Sequence, residues 1–489
     1  MREGIPEGRP DPGAPNLHRL AGMDFRKESL AGLAAQVRSR SVSARELTQL
    51  ALDRIEELND RINAFVAVDP EGALAAAADI DERVARGEEV GELAGIPIGV
   101  KDLEDAKGLV TTRGSAAFCD EVPARSDSVL VSRLRAAGCV VVGKTNTPEL
   151  GWKGDTDNMV FGATRNPWRT ENSPGGSSGG TGAALAAGMI PLGTGSDGGG
   201  SIRIPASACG LSGFKPSLGR VPSGGKTPPG WGQLSTKGPM ARTVADTALA
   251  LDAVIGPDPT DLSSLPMPEP SWLGAIEDAR LPSKVIWSPT LGYAEVDGEV
   301  LDICGRAINV VADLGSEVIQ MDTVFPEDPV GSWLVLVTAG NIRTLEPFRG
   351  TEVWSRIDPG LVDQMEWGSR LTGSDVIRAQ DACHTLNLDL VEIFHQARLL
   401  ITPTMAAAPP ISGEVGTIGG RPDPNWVRFT YPFNMTRSPA ATVCCGFTAA
   451  GLPVGLQIVG PQHADLVVLR AAAALERALD LDAVAPVDN

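Results

Sequence analysis

Short apolar runs and helical segments alternate along most of this chain. Two such runs, IPIGV at 96–100 and CVVVG at 139–143, have the length of buried strands, and SVLVSRLRAAG between them has a helical pattern. The alternation returns over 284–321 with KVIWS, VLDICGRAINVVADLG and EVIQM. Strands that alternate with helices are typical of a sheet covered by helices on both faces. We therefore expect an α/β fold, a single large domain with a mixed, mostly parallel central sheet.

Capping signals and apolar periodicity locate further elements. Ser43 and Glu46 have the spacing of a capping box, and the apolar residues that follow lie on one stripe, so a helix is predicted from Ser43. Other helices are expected at about 70–87, after Gly180 and at about 463–478, and other strands at 189–194 and in LLITP, ATVCCG and LPVGLQIVG.

The N-terminal end and one central stretch depart from this pattern. Residues 1–24 are rich in Pro, Gly and charge without periodicity, so we expect a flexible N-terminal arm. Residues 25–489 then form the domain. The stretch PDPTDLSSLPMPEP, which starts at Pro257, is typical of a surface connection. We expect residues 260–395 to form a variable lobe on the sheet.

Composition limits the partners of the chain. The 61 Asp and Glu residues outnumber the 42 Lys and Arg residues, which gives a formal net charge of −19. Nucleic acids and anionic membranes attract basic surfaces, so we expect neither as a partner. No apolar run approaches about 18 residues, the length of a membrane-spanning helix, and no secretory signal pattern is present. The sequence predicts a cytoplasmic monomer or homodimer that takes a small-molecule partner.

Metal-binding patterns are absent from the sequence. There is no H-E-x-x-H motif and no paired C-x-x-C, which are frequent zinc-binding patterns. The seven cysteines are an odd number and are dispersed, which is typical of buried thiols in a reducing compartment. We therefore expect no metal and no cofactor. The four histidines, which must serve any imidazole chemistry, are His18, His384, His395 and His463.

Two segments rich in glycine and serine are the first chemical candidates. The segment GGSSGGT at 175–181 enters an Ala-rich helix, so its N–H groups face whatever occupies the loop, although a flexible linker is an alternative. The segment GTGSDGGGSIR at 193–203 is the second candidate, with a tight turn as its alternative. Both segments therefore need further support from their surroundings.

Each segment matches a familiar motif by spacing but not by context. The second contains G-x-G-x-x-G, yet it continues into SIRIP with Pro205, so no helix opens there to receive a pyrophosphate. The first contains G-x-S-x-G, but Pro167 and Pro174 precede it where a nucleophile elbow needs a buried strand. A dinucleotide site and an α/β-hydrolase are both disfavoured.

A serine nucleophile without a nearby histidine needs another base, and Lys101 fits that need. A lysine accepts a proton only if burial lowers its pKa from about 10.4 towards roughly 7 to 8. Lys101 closes the apolar stretch LAGIPIGV and so lies at the end of a buried strand. The alternative is a solvated surface lysine paired with Asp102. The role of base is favoured over a surface position only when Lys101 is considered together with the two glycine-serine segments.

These residues resemble the amidase signature hydrolases. The resemblance runs from about residue 45 to the C-terminus and is densest over 95–220, in GIPIGVKD, GKTNTPE, FGATRNPW, SPGGSSGG, GSDGGGSIRIPA and CGLSGFKPS. The family uses a Ser-cisSer-Lys triad. The resemblance implies Lys101 as base, Ser177 as bridging serine after a cis peptide bond, and Ser201 as nucleophile.

The resemblance implies a mechanism and supporting residues. Ser201 would attack the acyl carbon while Ser177 passes its proton to neutral Lys101, and the reverse relay would protonate the leaving nitrogen. Backbone N–H groups of the glycines before Ser201 would form the oxyanion hole, which explains three consecutive glycines. The expected oxyanion-hole residues are Gly198, Gly199 and Gly200 together with Ser201, and those expected to hold the two loops together are Ser178, Asp197 and Arg203. Gly198 departs from the family, whose members more often carry a side chain there.

Apolar residues near the expected cleft suggest the substrate. An apolar or aryl substrate is favoured over a free amino acid, although a core or lid role is the alternative for each residue. We expect a serine hydrolase that cleaves small apolar or aryl amides and whose activity includes carbamates (urethanes). The alternatives are a glutamine-hydrolysing subunit of a tRNA-dependent amidotransferase and a catalytically inactive binding scaffold. The candidate contacts are Trp152, Met159, Phe161 and Trp231.

Overall fold

A computed structural model describes residues 22–226, 228 and 230–487, so most of the predicted N-terminal arm lies outside the described residues. The strands are β1 Phe65–Val68, β2 Pro97–Lys101, β3 Val140–Thr145, β4 Leu192–Asp197, β5 Gly213–Lys215, β6 Thr236–Ala241, β7 Lys284–Trp287, β8 Glu317–Gln320, β9 Leu400–Pro403, β10 Thr417–Ile418, β11 Arg421–Pro422, β12 Ala440–Phe447 and β13 Pro453–Val459. The helices are α1 Leu30–Arg38, α2 Ala44–Ile62, α3 Pro70–Ala85, α4 Val129–Ala136, α5 Gly179–Ala186, α6 Arg203–Cys209, α7 Val244–Val254, α8 Trp272–Ala275, α9 Gly298–Asp313, α10 Val330–Leu345, α11 Pro359–Gly368, α12 Gly373–Gln396, α13 Pro432–Met435 and α14 Asp465–Leu479.

The predicted helices are present at the expected places. Ser43 accepts from the backbone N–H of Glu46, and the Glu46 side chain accepts in return, so the capping box that starts α2 is confirmed. Helices α3, α5 and α14 correspond to the predictions at about 70–87, after Gly180 and at about 463–478. The α/β class of the fold is confirmed.

Most of the strands form two sheets that meet at one bridge. Five strands follow the order β1-β3-β2-β4-β6 and six follow the order β5-β12-β13-β9-β7-β8, while β10 and β11 form a separate hairpin. An isolated bridge pairs Ser212 with Ala241 and so joins the two sheets. Eleven strands among the described residues therefore make one nearly continuous layer.

The mixed character of the sheet is confirmed, but the expectation of mostly parallel pairing is wrong. Parallel pairs join β2 to β3 and β4, and β7 to β8 and β9. The other five pairs in the two sheets of the described chain are antiparallel. One reason is the short turn between β12 and β13, since strands joined by a short turn pair in opposite directions.

The region proposed as a variable lobe contributes to both the sheet and its cover. Strands β7 and β8 lie inside 260–395 and belong to the six-stranded sheet. Helices α10 and α12 pack on one another and bury Val337, Leu386 and Leu390 in a hydrophobic cluster shared with Phe429. We restrict the proposal of a variable lobe to the helices α10–α12.

Parallel neighbours bring two polar strand ends together. Strands β2 and β4 run in the same direction and pair through Ile98 with Leu192 and Gly99 with Gly193. The carboxyl ends of parallel strands lie at the same edge of a sheet. Lys101 ends β2, and the glycine-rich segment follows β4, so this edge joins the base candidate to the second glycine-serine segment.

Candidate active site

Lys101 lies between two hydroxyl groups. Its Nζ is 2.8 Å from the Oγ of Ser177 and 3.0 Å from the Oγ of Ser196. Its backbone N–H donates to the side-chain oxygen of Thr194 at 2.8 Å, which fixes the end of β2 against β4. The predicted contact between Lys101 and Ser177 is therefore present, and the alternative of a solvated surface lysine is wrong.

Burial sets the charge state of Lys101. The residue is 0% exposed. Burial disfavours the ammonium form and lowers the pKa of Lys101 to about 7, although the charges of Glu104 and Asp197 act in the opposite direction. A neutral amine has one lone pair, so it can accept a proton from one hydroxyl while it donates to the other.

Ser177 lies at the start of α5, where several backbones meet. The peptide bond between Gly176 and Ser177 is cis, and Ser177 is 2% exposed. A Cβ at Gly151 would lie 2.9 Å from the Ser177 Oγ, and one at Gly176 would lie 2.7 Å from the carbonyl of Asp155. Only glycines at these two positions leave room for Ser177 to face Lys101.

The loop that carries Ser201 runs directly beside Ser177. The backbone N–H of Ser178 donates to the Ser201 carbonyl at 3.2 Å. The Ser178 hydroxyl lies 3.4 Å from both the backbone N and the backbone O of Ser196. Both Ser177 and Ser201 line the same cavity. Ser178 thus joins the two segments, as the family resemblance implied.

A buried ion pair supports the same loop. Asp197 and Arg203 are both 0% exposed, and their side chains approach to 2.8 Å. Burial acts to raise the pKa of Asp197, but the positive charge of Arg203 and its hydrogen bonds outweigh this and hold the pKa at about 2. Further acceptors satisfy the guanidinium, as expected for a buried charge. They are the carbonyl of Thr430 and the side chains of Gln457 and Asn434.

The N–H groups of the glycine-rich loop are divided between two directions. The N–H of Gly200 donates to Oδ1 of Asp197 at 2.8 Å, so it is directed towards the ion pair. The N–H groups of Gly198, Gly199 and Ser201 have no acceptor among the described residues. This revises the expectation for Gly200, which supports the loop, and leaves three N–H donors of the loop free for an oxyanion.

A cavity of about 820 Å³ opens over the two serines. Trp231 lies in its wall as predicted, and so does Gly198. Trp152 and Phe161 do not line the cavity, and Trp152 packs in a separate cluster with Leu361. Met159 is 62% exposed and also lies outside the wall. The other apolar side chains in the wall are those of Leu103, Phe118, Leu150 and Pro228.

Several residues of the site were not found from the sequence. Ser196 was missed because a serine inside a glycine-rich turn has no distinguishing pattern, although its place one residue before the end of β4 could have suggested contact with Lys101. Glu104 is 3% exposed, lines the cavity and accepts from Lys237 at 2.8 Å. Asn341 comes to the wall from α10, far away in the sequence.

The described residues form neither a metal-binding cluster nor a membrane-spanning helix. In the part of the chain that the structure describes, no group of three or more His, Cys, Asp and Glu side chains is placed to hold a metal ion. None of the helices formed by those residues is both long and apolar enough to span a membrane.

Comparison with known proteins gives consistent matches over nearly the whole chain. Residues 46–469 match the profile of the Amidase family. An acylamidase of Rhodococcus erythropolis is 38% identical over 477 residues, which cover 94% of this chain and 96% of that protein. A glutamyl-tRNA(Gln) amidotransferase subunit of Salinispora tropica is 38% identical over 486 residues, which cover 92% of this chain and 96% of that protein. A solved bacterial aryl acylamidase of the amidase signature family superimposes with a TM-score of 0.88 at 31% identity, covering 94% of this chain and 99% of that chain.

Proposed function

Because this chain belongs to the amidase signature family, we propose that it cleaves the C–N bond of small apolar or aryl amides through an acyl-enzyme on Ser201. The observation that carries the proposal is the hydrogen bond between buried Lys101 and Ser177 at the cavity that contains Ser201. This arrangement supplies a base of matched pKa, a relay hydroxyl and a second hydroxyl that faces substrate.

Acylation begins with transfer of two protons. The Oγ of Ser201 forms a bond to the acyl carbon and gives its proton to the Oγ of Ser177, whose own proton passes to the lone pair of Lys101. The resulting ammonium returns a proton through Ser177 to the leaving nitrogen as the C–N bond breaks. Water then attacks the acyl-enzyme by the same relay and releases the carboxylic acid and free Ser201.

The tetrahedral intermediate needs donors for its oxyanion. We assign this role to the N–H groups of Gly199 and Ser201, which no acceptor in the described protein occupies. Each such donor contributes roughly 3 kcal/mol to stabilisation of a transition state. The N–H of Gly200 instead stabilises the loop through Asp197.

The cavity wall supports an apolar or aryl substrate. Leu103, Phe118, Leu150 and Trp231 provide carbon surface within about 820 Å³, and the similar proteins include an acylamidase and an aryl acylamidase. Carbamates belong to the same proposal, because they present the same carbonyl and the same amine leaving group to the relay. The substrate would be a small molecule, with no cofactor.

Two alternatives are distinguishable from this proposal. The similarity to an amidotransferase component makes glutamine hydrolysis within such an assembly the second candidate, since the cavity wall also carries charged side chains such as Glu104, Arg113 and Lys237, which can pair with the α-ammonium and α-carboxylate groups of glutamine. The contact between Lys101 and Ser177 at the cavity that Ser201 lines speaks against an inactive binding scaffold.

We also propose a cytoplasmic monomer or homodimer. All seven cysteines are free thiols, which supports a reducing compartment. Size-exclusion chromatography with light scattering measures the oligomeric state, and a larger assembly would contradict this proposal.

The test is turnover of a substrate panel by the isolated chain. The panel contains nitroanilides, glutamine, primary amides and aryl carbamates, with Ser201→Ala as the inactive variant and Ser374→Ala, an exposed serine of α12, as the matched control. We expect nitroanilide and carbamate turnover in wild type and control only. Turnover of glutamine alone would favour the amidotransferase role, and undiminished turnover by Ser201→Ala would refute the acyl-enzyme.

A further inference from the structure

Three carbonyl groups of the nucleophile loop, defined as residues 198–201, are held by three separate parts of the chain. The first donor is an indole N–H of α10, the second a threonine hydroxyl and the third a backbone N–H of α6. The pairs are Gly198 with Nε1 of Trp333 at 3.0 Å, Gly199 with Oγ1 of Thr430 at 2.5 Å, and Gly200 with the N of Ile204 at 2.7 Å.

Each carbonyl contact also fixes an N–H. In a trans peptide unit the C=O and the N–H point in opposite directions, because the unit is planar. The contact between Trp333 and the Gly198 carbonyl therefore sets the direction of the Gly199 N–H, away from α10. That N–H has no acceptor among the described residues, and it is one of the two assigned to the oxyanion.

The indole of Trp333 is itself held in position. It stacks on Tyr431 with ring centroids 5.4 Å apart and an interplanar angle of 26°, and it meets Trp231 edge to face at 6.0 Å. A Cβ at Gly199 would lie 2.5 Å from the Trp333 ring. The ring thus packs against one side of the loop.

We infer that Trp333 is a positioning residue for the oxyanion hole, one that acts by holding the Gly198 carbonyl so that the Gly199 N–H faces the reacting oxygen. This inference rests on the proposed function, because it assumes an oxyanion on the acyl carbon. Trp333 does not line the cavity, so it acts through the loop without touching substrate.

The test compares Trp333→Phe with wild type on a nitroanilide and with a trifluoromethyl ketone, which forms a tetrahedral adduct with a serine nucleophile. Phenylalanine keeps a stacking ring and removes the N–H. We expect kcat to fall about tenfold or more, affinity for the ketone to fall by a similar factor, and KM to change little, since only the tetrahedral state uses the oxyanion hole.

Controls separate this inference from the proposed function and from misfolding. Trp367→Phe removes the indole N–H of an exposed tryptophan on α11 and should leave kcat unchanged. Ser201→Ala should be inactive; if it is not, the proposed function fails. The positioning role is refuted if Ser201→Ala is inactive but Trp333→Phe keeps the kcat and the ketone affinity of wild type. It is also refuted if Trp333→Phe changes KM and kcat by similar factors. Should Trp333→Phe not fold, Trp333→Met is measured in the same way.

Discussion

The amine of Lys101 lies 2.8 Å from the hydroxyl of Ser177 in a fully buried environment. This contact combines two properties that a serine hydrolase usually obtains from histidine, namely a base that is neutral near pH 7 and a direct hydrogen bond to the group it deprotonates. Burial by the surrounding strands supplies the first property, and the turn into α5 supplies the second. Each property has consequences that can be measured separately.

The pH dependence of acylation should follow Lys101. Only the neutral amine accepts a proton, so kcat/KM should rise as pH increases through about 7, the lowered pKa of Lys101, and then level off. Initial rates of nitroanilide hydrolysis between about pH 5.5 and pH 9 measure this. A rate that decreases with pH across this interval would contradict a lysine base.

The same burial should make Lys101 a destabilising residue. Its pKa falls from the ordinary 10.5 to about 7 on folding, which corresponds to roughly 5 kcal/mol at pH values below both. Between these two values the unfolded chain binds more protons, so the native state gains stability as pH rises. Lys101→Met should therefore raise the free energy of unfolding most at about pH 6, with the gain shrinking towards pH 10.

Urea unfolding at several pH values gives this comparison. Lys27→Met, at an exposed lysine, is measured in parallel as the control. A Lys101→Met protein that is less stable than wild type at pH 6 would show that burial of the amine is compensated in the native state.

Ser196 should orient the lone pair of Lys101. The neutral amine can donate to Ser196 at 3.0 Å while it accepts from Ser177. Ser196→Ala removes the acceptor, so we expect kcat to fall about tenfold, with less effect than Ser177→Ala. Ser126→Ala, a serine of the cavity wall without a hydrogen bond to Lys101, is compared in parallel. Equal kcat in the two variants would argue against this role.

The sequence predicted those residues of the site that lie in a recognisable local pattern. Lys101 was proposed because an apolar run ends at it, and Ser177 and Ser201 because each lies in a glycine-serine segment that resembles a family motif. Ser196 and Trp333 were not found. Their roles come from pairing between β2 and β4 and from packing of α10 on the loop, which are contacts between residues far apart in sequence.

In the fold, too, local features were predicted from the sequence and long-range features were not. Helix starts such as Ser43 were predicted well, because a capping box is a local interaction. Strand direction was predicted poorly, since five of the nine pairs in the two sheets are antiparallel among the residues described. The direction of a strand relative to its neighbours depends on which strands pair with it. The apolar residues of a strand do not indicate those partners.

Gly200 should tolerate no side chain. Its φ is +129°, and a Cβ would lie 2.3 Å from Oγ1 of Thr430, so Gly200→Ala combines backbone strain with a clash. We expect a loss of roughly 2 kcal/mol or more in the free energy of unfolding and a lower kcat. Gly305→Ala within α9, where a Cβ meets nothing within 4 Å, should instead stabilise the protein by about 1 kcal/mol. Equal stability of the two variants by thermal unfolding would contradict the strained conformation.

The central claim is that an acyl group is carried by Ser201. Acid quench of wild-type protein during turnover of an aryl amide, followed by peptide mass mapping, measures it most directly. We predict the acyl mass on the peptide that contains Ser201, no adduct in Ser201→Ala, and a strongly reduced adduct in Lys101→Ala. An acyl group on another residue, or unchanged turnover by Ser201→Ala, would contradict this claim.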